Sequence, residues 1–126
     1  MHSPPLTRAE DWKRWLLLPS FERKRRELGL DDDDLAALQI AVMCNPKGPP
    51  VMKGTGGLRK CRFSKMGSGR GKSGSYRIGY AYFEKYGVIA AIAIYAKADQ
   101  ADIPAAQRKH IKELIAKLDQ WLADGG

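Results

Sequence analysis

Residues 76–83 alternate Tyr76, Ile78, Tyr80 and Tyr82 with Arg77, Gly79 and Ala81, and after the four-residue link Glu84-Lys85-Tyr86-Gly87 a second apolar run extends over 88–97. A period of two is the signature of a strand, whose successive side chains point to opposite faces. A link of this length closes a hairpin, so the two strands pair antiparallel. Residues 58–64 read as a third strand joined to this pair. An all-helical bundle and an all-parallel sheet are both excluded, because the latter needs a crossover of a dozen residues or more between neighbours.

The remaining segments predict helices around that sheet. Residues 12–18 end in an apolar run suited to a short strand and stopped by Pro19; Ser20 then caps a helix over 21–28 that ends at Gly29. The run from Arg23 to Arg26 within it is flanked by Glu22 and Glu27 and reads as a mainly solvated face. Asp31 to Asp34 lack the alternating ligands and central glycine of a calcium loop. They precede Leu35, Leu38 and Val42, so they are expected to cap a helix and oppose its dipole, with the helix ending near Asn45-Pro46. The Lys47-Gly48-Pro49-Pro50 and Gly54-Thr55-Gly56-Gly57 clusters break the chain and leave only a short extended piece between them. A last helix over 104–123, with Pro104 in its first turn, presents Ile111, Leu114, Ile115, Leu118, Trp121 and Leu122 to the core. The sum is one α+β domain over 12–126, a small antiparallel sheet with two N-terminal helices packed on it and a C-terminal helix, preceded by a flexible leader over 1–11.

Charge is segregated along this chain. Residues 53–77 hold eight of the 22 lysines and arginines and none of the 14 acids, so the rest is balanced at 14 of each sign and the whole net charge of +8 lies in one window. Such a concentration attracts a polyanion such as nucleic acid. Cys44 and Cys61 are too few for a disulfide scaffold, match no zinc spacing and are expected to be reduced, in or near the core. No metal or other cofactor is implied. The apolar stretch 15–18 is too short for a signal peptide or a membrane span, which makes the cytoplasm the default compartment.

Two glycine-rich motifs in the window fail on context. Gly71-Lys72-Ser73 resembles the end of a phosphate-binding loop, but Met66 stands where that loop needs glycine; Gly69-Arg70-Gly71-Lys72-Ser73-Gly74 fits a dinucleotide fingerprint but joins two strands. Both mechanisms need a helix N-terminus at the phosphate, so the segment reads as a basic hairpin loop. Strand alternation is more informative. With Cys61, Phe63, Tyr76, Ile78 and Tyr80 directed to the core, Lys60, Arg62 and Arg77 converge on the opposite face, and Gly79 is expected to leave a hollow among them. Three cations over a hollow suit a phosphate and the charge that develops on it during transfer. Mutual repulsion would let Lys60 act as a base or acid near neutral pH, while Arg62 and Arg77 are phosphate clamps. On these residues alone, a passive phosphate-binding face and a catalytic one remain equal readings. His110 adjoins the apolar stripe of the last helix and reads as a boundary residue, the only other histidine being His2.

Gly54-Thr55-Gly56-Gly57-Leu58-Arg59-Lys60-Cys61-Arg62-Phe63, Gly71-Lys72-Ser73-Gly74-Ser75-Tyr76-Arg77-Ile78-Gly79-Tyr80 and Tyr95-Ala96-Lys97-Ala98-Asp99-Gln100-Ala101-Asp102 together resemble the RelE/HigB family of toxins from bacterial type II toxin–antitoxin systems, in its HigB-like branch. The resemblance covers nearly all of the chain after Pro19 and implies a RelE-like fold. It further implies a cytoplasmic, metal-independent, ribosome-dependent mRNA endonuclease (an mRNA interferase) that inhibits translation. Its partners would be the ribosome, mRNA and a neutralising antitoxin of helix-turn-helix type, with operator DNA as a candidate further partner of the toxin–antitoxin complex. Carried over by motif, Lys60, Arg62, Arg77, Lys97 and Tyr95 are the catalytic set. Lys60 takes the proton of the attacking ribose 2′-hydroxyl, Arg62 and Arg77 stabilise charge, and the leaving-group acid is unassigned. Lys53, Arg59, Lys65, Arg70 and Lys72 are assigned to RNA or ribosome binding. Gly79, in place of the usual Ile or Val, departs from the family pattern, as do Ser75, Pro104 and the length of the leader. The Gly79 departure keeps a catalytically silent RNA- or ribosome-binding relative as an alternative, and a gyrase-directed toxin of the same fold is a third.

Overall fold

A computed structural model describes residues 12–65 and 75–126; the leader over 1–11 and the basic hairpin loop containing Arg70 and Lys72 lie outside the described residues. The described elements run β1 (Arg14–Leu17), α1 (Pro19–Glu27), α2 (Asp32–Cys44), β2 (Leu58–Ser64), β3 (Ser75–Phe83), β4 (Val88–Ala96) and α3 (Ala105–Ala123), with a single 3-10 turn at Glu84–Tyr86 between β3 and β4. The sheet order is β1-β4-β3-β2. The three expected strands pair antiparallel, and Gly87 closes the β3–β4 hairpin in the left-handed region at φ 64°. β1 joins on the far side of β4 in parallel, Arg14 opposite Val88 through Leu17 opposite Ala91. The sheet is therefore mixed rather than antiparallel throughout.

Helices cover both faces. Phe21, Leu30 and Leu38 of the N-terminal helical layer bury Phe63, Tyr76, Ile78, Ala91 and Ile94, while Val42 and Met43 meet Tyr80 and Ile89. On the other face Ile111, Ile115 and Leu122 of α3 bury Leu58, Ala81, Phe83, Val88, Ala90 and Ile92. β4 is thus enclosed on both sides, which explains why its sequence is a continuous apolar run rather than an alternating one. A bulge where Gly79 pairs with Ala93 but Tyr80 with Ala91 gives β4 one extra residue, Ile92.

Local chemistry sets the helix ends, in places differently from expectation. Asp31 caps α2 in a reciprocal box, its side chain accepting from Asp34 N–H while the Asp34 carboxylate accepts from Asp31 N–H, both at 2.9 Å. Ser20 does not cap α1: Leu18 occupies that position without a side-chain bond, and Pro19 opens the helix, where its missing N–H has no consequence. Pro104 likewise precedes α3 rather than lying in its first turn. The basic run of α1 is not wholly solvated. Arg25 is 3% exposed, bonded to Glu22 at 2.6 Å and 3.2 Å and to the Leu30 carbonyl at 2.9 Å. Trp121 is 49% exposed with the Arg14 guanidinium over its ring, and Leu122 takes the interior place beside it. Cys44 is exposed and Cys61 partly buried, both free thiols.

Candidate functional site

The register of β2 and β3 places the expected cations. Lys60 pairs with Gly79, Arg62 with Arg77, and Cys61 with Ile78 on the opposite face. Arg62 and Arg77 are therefore direct cross-strand neighbours, an arrangement in which like charges repel. Arg62 is exposed; Arg77 is half-buried, and its Nη1 lies 3.4 Å from Ser75 Oγ and 3.3 Å from the Tyr76 carbonyl.

Lys60 is not surrounded by cations alone. Its Nζ meets Asp102 Oδ1 at 3.3 Å, and Arg108 from the first turn of α3 meets Asp102 Oδ2 at 2.9 Å. Asp102 Oδ1 also accepts from Ile103 N–H at 2.8 Å. That backbone bond, followed by Lys60 and Arg108, holds the Asp102 carboxyl below the usual range. Arg108 further donates to the carbonyls of Ile103 at 2.9 Å and Lys53 at 3.4 Å. Asp102 thus lies among the cations in the manner of an internal anion. Neither Asp102 nor Arg108 was singled out as a site residue from the sequence. The readable signal for Arg108 was its position three residues before Ile111, one turn along the buried stripe of the helix.

The expected hollow at Gly79 is filled. Leu58, two residues before Lys60 and therefore on the same face, is fully buried; its Cδ2 and Cδ1 lie 3.1 Å and 3.3 Å from where a Gly79 Cβ would stand, with Ala93 Cβ at 3.3 Å. The glycine makes room for a core leucine, leaving the cations at the rim of the α3-covered face rather than above a cavity.

The other expected residues divide. Tyr95 pairs with Arg77 across β3–β4 but is 4% exposed, and its buried hydroxyl has no hydrogen-bond partner among the described residues. Burial, then Asp102, pushes its pKa up, with Arg77 and Arg108 opposing, so it is a protonated group beneath the open surface. Lys97 is exposed just beyond β4, its backbone N–H donating to Ser75. Lys53 is exposed beside α3. Arg59 points to the opposite face, donating to the carbonyls of Lys47 and Pro49 at 3.0 Å and 2.7 Å. Lys65 bonds the Gly29 carbonyl at 3.1 Å and meets Asp34 at 3.5 Å. The last two side chains join the helical layer to the sheet. Arg70 and Lys72 lie outside the described residues. No group of three or more His, Cys, Asp or Glu able to hold a metal occurs among the described residues, and no described helix is long and apolar enough to cross a membrane.

No protein-family profile matches the sequence. Among solved structures, an arginine-to-alanine double mutant of the E. coli toxin RelE in the free state superposes with a TM-score of 0.50 over 71% of this chain and 87% of that one, at 14% sequence identity. At this identity the likeness concerns the fold, and the chain has a RelE-like α+β architecture.

Proposed function

We propose that the chain is the toxin of a type II toxin–antitoxin system in the HigB-like branch, acting in the cytoplasm as a ribosome-dependent mRNA endonuclease. The single observation that carries this reading is the Arg62–Arg77 cross-strand pair beside Lys60. Two arginines directly opposite each other on one face of a strand pair repel in the free protein, and an RNA phosphate bound between them reverses the sign of that interaction. The RelE-like fold and the three sequence motifs are further support for this reading.

In this scheme the ribose 2′-oxygen attacks the adjacent phosphorus, the P–O5′ bond breaks, and the products are a 2′,3′-cyclic phosphate and a 5′-hydroxyl. Lys60 takes up the 2′-hydroxyl proton as the neutral amine, its own ammonium proton having first passed to solvent. Arg62 and Arg77 stabilise the charge on the phosphorane oxygens, and exposed Lys97 is available to the leaving 5′-oxygen. Tyr95, buried and directly across β3–β4 from Arg77, borders the site without being open to RNA. A helix-turn-helix antitoxin would silence the toxin, and their complex would be a candidate for operator binding. Induced expression is expected to arrest growth with cleavage of translated messages, and Arg77→Ala to abolish both. Arrest with intact mRNA would refute the nuclease reading. A second reading, RNA or ribosome binding without cleavage, is favoured by the engagement of Lys60 with Asp102; there Arg77→Ala retains toxicity wherever affinity survives.

A further inference from the structure

Between the glycine loop that precedes β2 and the first turns of α3 lies a groove of about 430 Å³ lined by Lys53, Gly54, Ala105, Arg108, Lys109 and Lys112. Four of its six lining residues are cations and none is an acid. Lys53, Lys109 and Lys112 are exposed and have no ion-pair partner among the described residues, whereas Arg108 is tied to Asp102.

The groove is held in shape from within. Thr55, fully buried, donates to the Met52 carbonyl at 2.6 Å and accepts from Leu58 N–H at 3.0 Å, which fixes the loop. Gly56, at φ 72°, lets the loop backbone lie against α3: a Cβ there would stand 3.2 Å from Lys112 Cγ. Arg108 bonds the Lys53 carbonyl, fastening the loop to the helix, and through Asp102 it connects the groove to Lys60. Lys109 and Lys112 are three residues apart on α3, a spacing that sets neighbouring side chains about 5–6 Å apart at Cβ.

We infer that this groove is a second phosphate-binding site, which takes the sugar-phosphate backbone of single-stranded RNA next to the segment held at Lys60, Arg62 and Arg77. The inference rests on the reading of RNA as the ligand of that cluster and extends the contact surface around α3. Unpaired like charges along a concave wall favour a chain of phosphates over a lone anion, because each successive phosphate meets another cation. The sequence reading centred on the excess over 53–77, and Lys109 and Lys112 lie beyond it in a region of balanced charge; the fold brings them to Lys53.

The test is fluorescence anisotropy with a labelled oligoribonucleotide of about 12 nucleotides, 2′-O-methylated so that it cannot be cleaved, at salt from about 50 to 200 mM. Neutralising two phosphate contacts lowers the slope of log K against log salt by about 1.4 for a single strand. Lys109→Gln/Lys112→Gln is expected to show that loss, Arg62→Gln/Arg77→Gln a similar one, and the quadruple variant their sum. Lys53→Gln, on the loop side, is expected to lose about half as much, and thermal melts confirm the fold of each. An unchanged slope in the double groove variant overturns the inference, as does a loss seen only with inorganic pyrophosphate or a normal RNA slope with loss of binding to an acidic peptide. Because cleavage is not read, a wild-type protein that fails to cut mRNA but shows these slopes refutes the nuclease reading and leaves the groove standing.

Discussion

Asp102→Asn separates an internal anion from a structural strut. The asparagine Oδ1 still accepts from Ile103 N–H, so the loop entering α3 keeps its backbone bond. The change removes one charge from two ion pairs, with Lys60 at 3.3 Å and Arg108 at 2.9 Å, whose side chains are 30%, 43% and 28% exposed for Lys60, Asp102 and Arg108. Pairs this exposed contribute about 0.2–1 kcal/mol each, so the expected loss of stability is about 0.5–2 kcal/mol. Binding moves the other way. A phosphate seated on the far side of the Lys60 ammonium, about 2.8 Å from it, stands roughly 6 Å from the carboxylate. The repulsion removed is then about 0.7 kcal/mol in bulk water and about 2.8 kcal/mol at an effective dielectric of 20, a three- to hundredfold gain in affinity.

The assay is anisotropy with the same uncleavable oligoribonucleotide, alongside a urea titration to confirm the fold. Asp102→Ala serves as the control, since it also deprives Ile103 N–H of its acceptor and should be less stable than the asparagine variant by about 1 kcal/mol. Affinity that is unchanged or weaker in a folded Asp102→Asn protein would refute the claim that this carboxylate competes with phosphate. It would leave Asp102 as a brace between β2 and α3.

Gly79→Val should destabilise by about 1–3 kcal/mol through overpacking on Leu58 and Ala93; combined with Leu58→Ala, which vacates the space, it should recover part of the loss in a denaturant titration. Arg25→Leu leaves the Leu30 carbonyl without its donor and Glu22 without its partner, an expected loss of about 2–4 kcal/mol by urea titration, smaller when Glu22→Gln accompanies it. Glu22, Asp31 and Asp102 all have their pKa values lowered on folding, by the Arg25 hydrogen bond, the Asp34 backbone N–H and the Ile103 backbone N–H in turn. Their contribution is therefore complete above the ordinary carboxylate range and is lost as pH falls below about 4, measurable as a falling thermal midpoint. Cys61, whose thiol burial pushes up to about 11, should react with a thiol reagent far more slowly than exposed Cys44.

What the sequence disclosed depended on whether a residue's neighbours lay along the chain or across the fold. Strand period and link length sufficed for the β2–β3–β4 meander, and the same alternation put Lys60, Arg62 and Arg77 on one face. Alternation cannot say what else covers that face. Leu58 obeys the same parity as Lys60, yet α3 buries the first and leaves the second at its rim. The parallel pairing of β1 was equally unreadable, since a four-residue strand carries no signal for which edge it joins.

Net charge misled by the same route. The cations of 53–77 that the structure describes do not form one block in space. Arg59 and Lys65 turn to the side of the N-terminal helices and donate to carbonyls of the loops flanking α2, while Asp102 and Arg108, from outside the window, enter the cluster. A basic segment therefore does two jobs that composition cannot separate. Alternate residues of β2 fasten the α2 side of the domain, and the residues between them, Lys60 and Arg62, supply the set proposed to meet phosphate. The parity that divides β2 in this way ties the open site to the fold, since a one-residue slip would exchange a solvent-facing Arg62 for a buried Phe63.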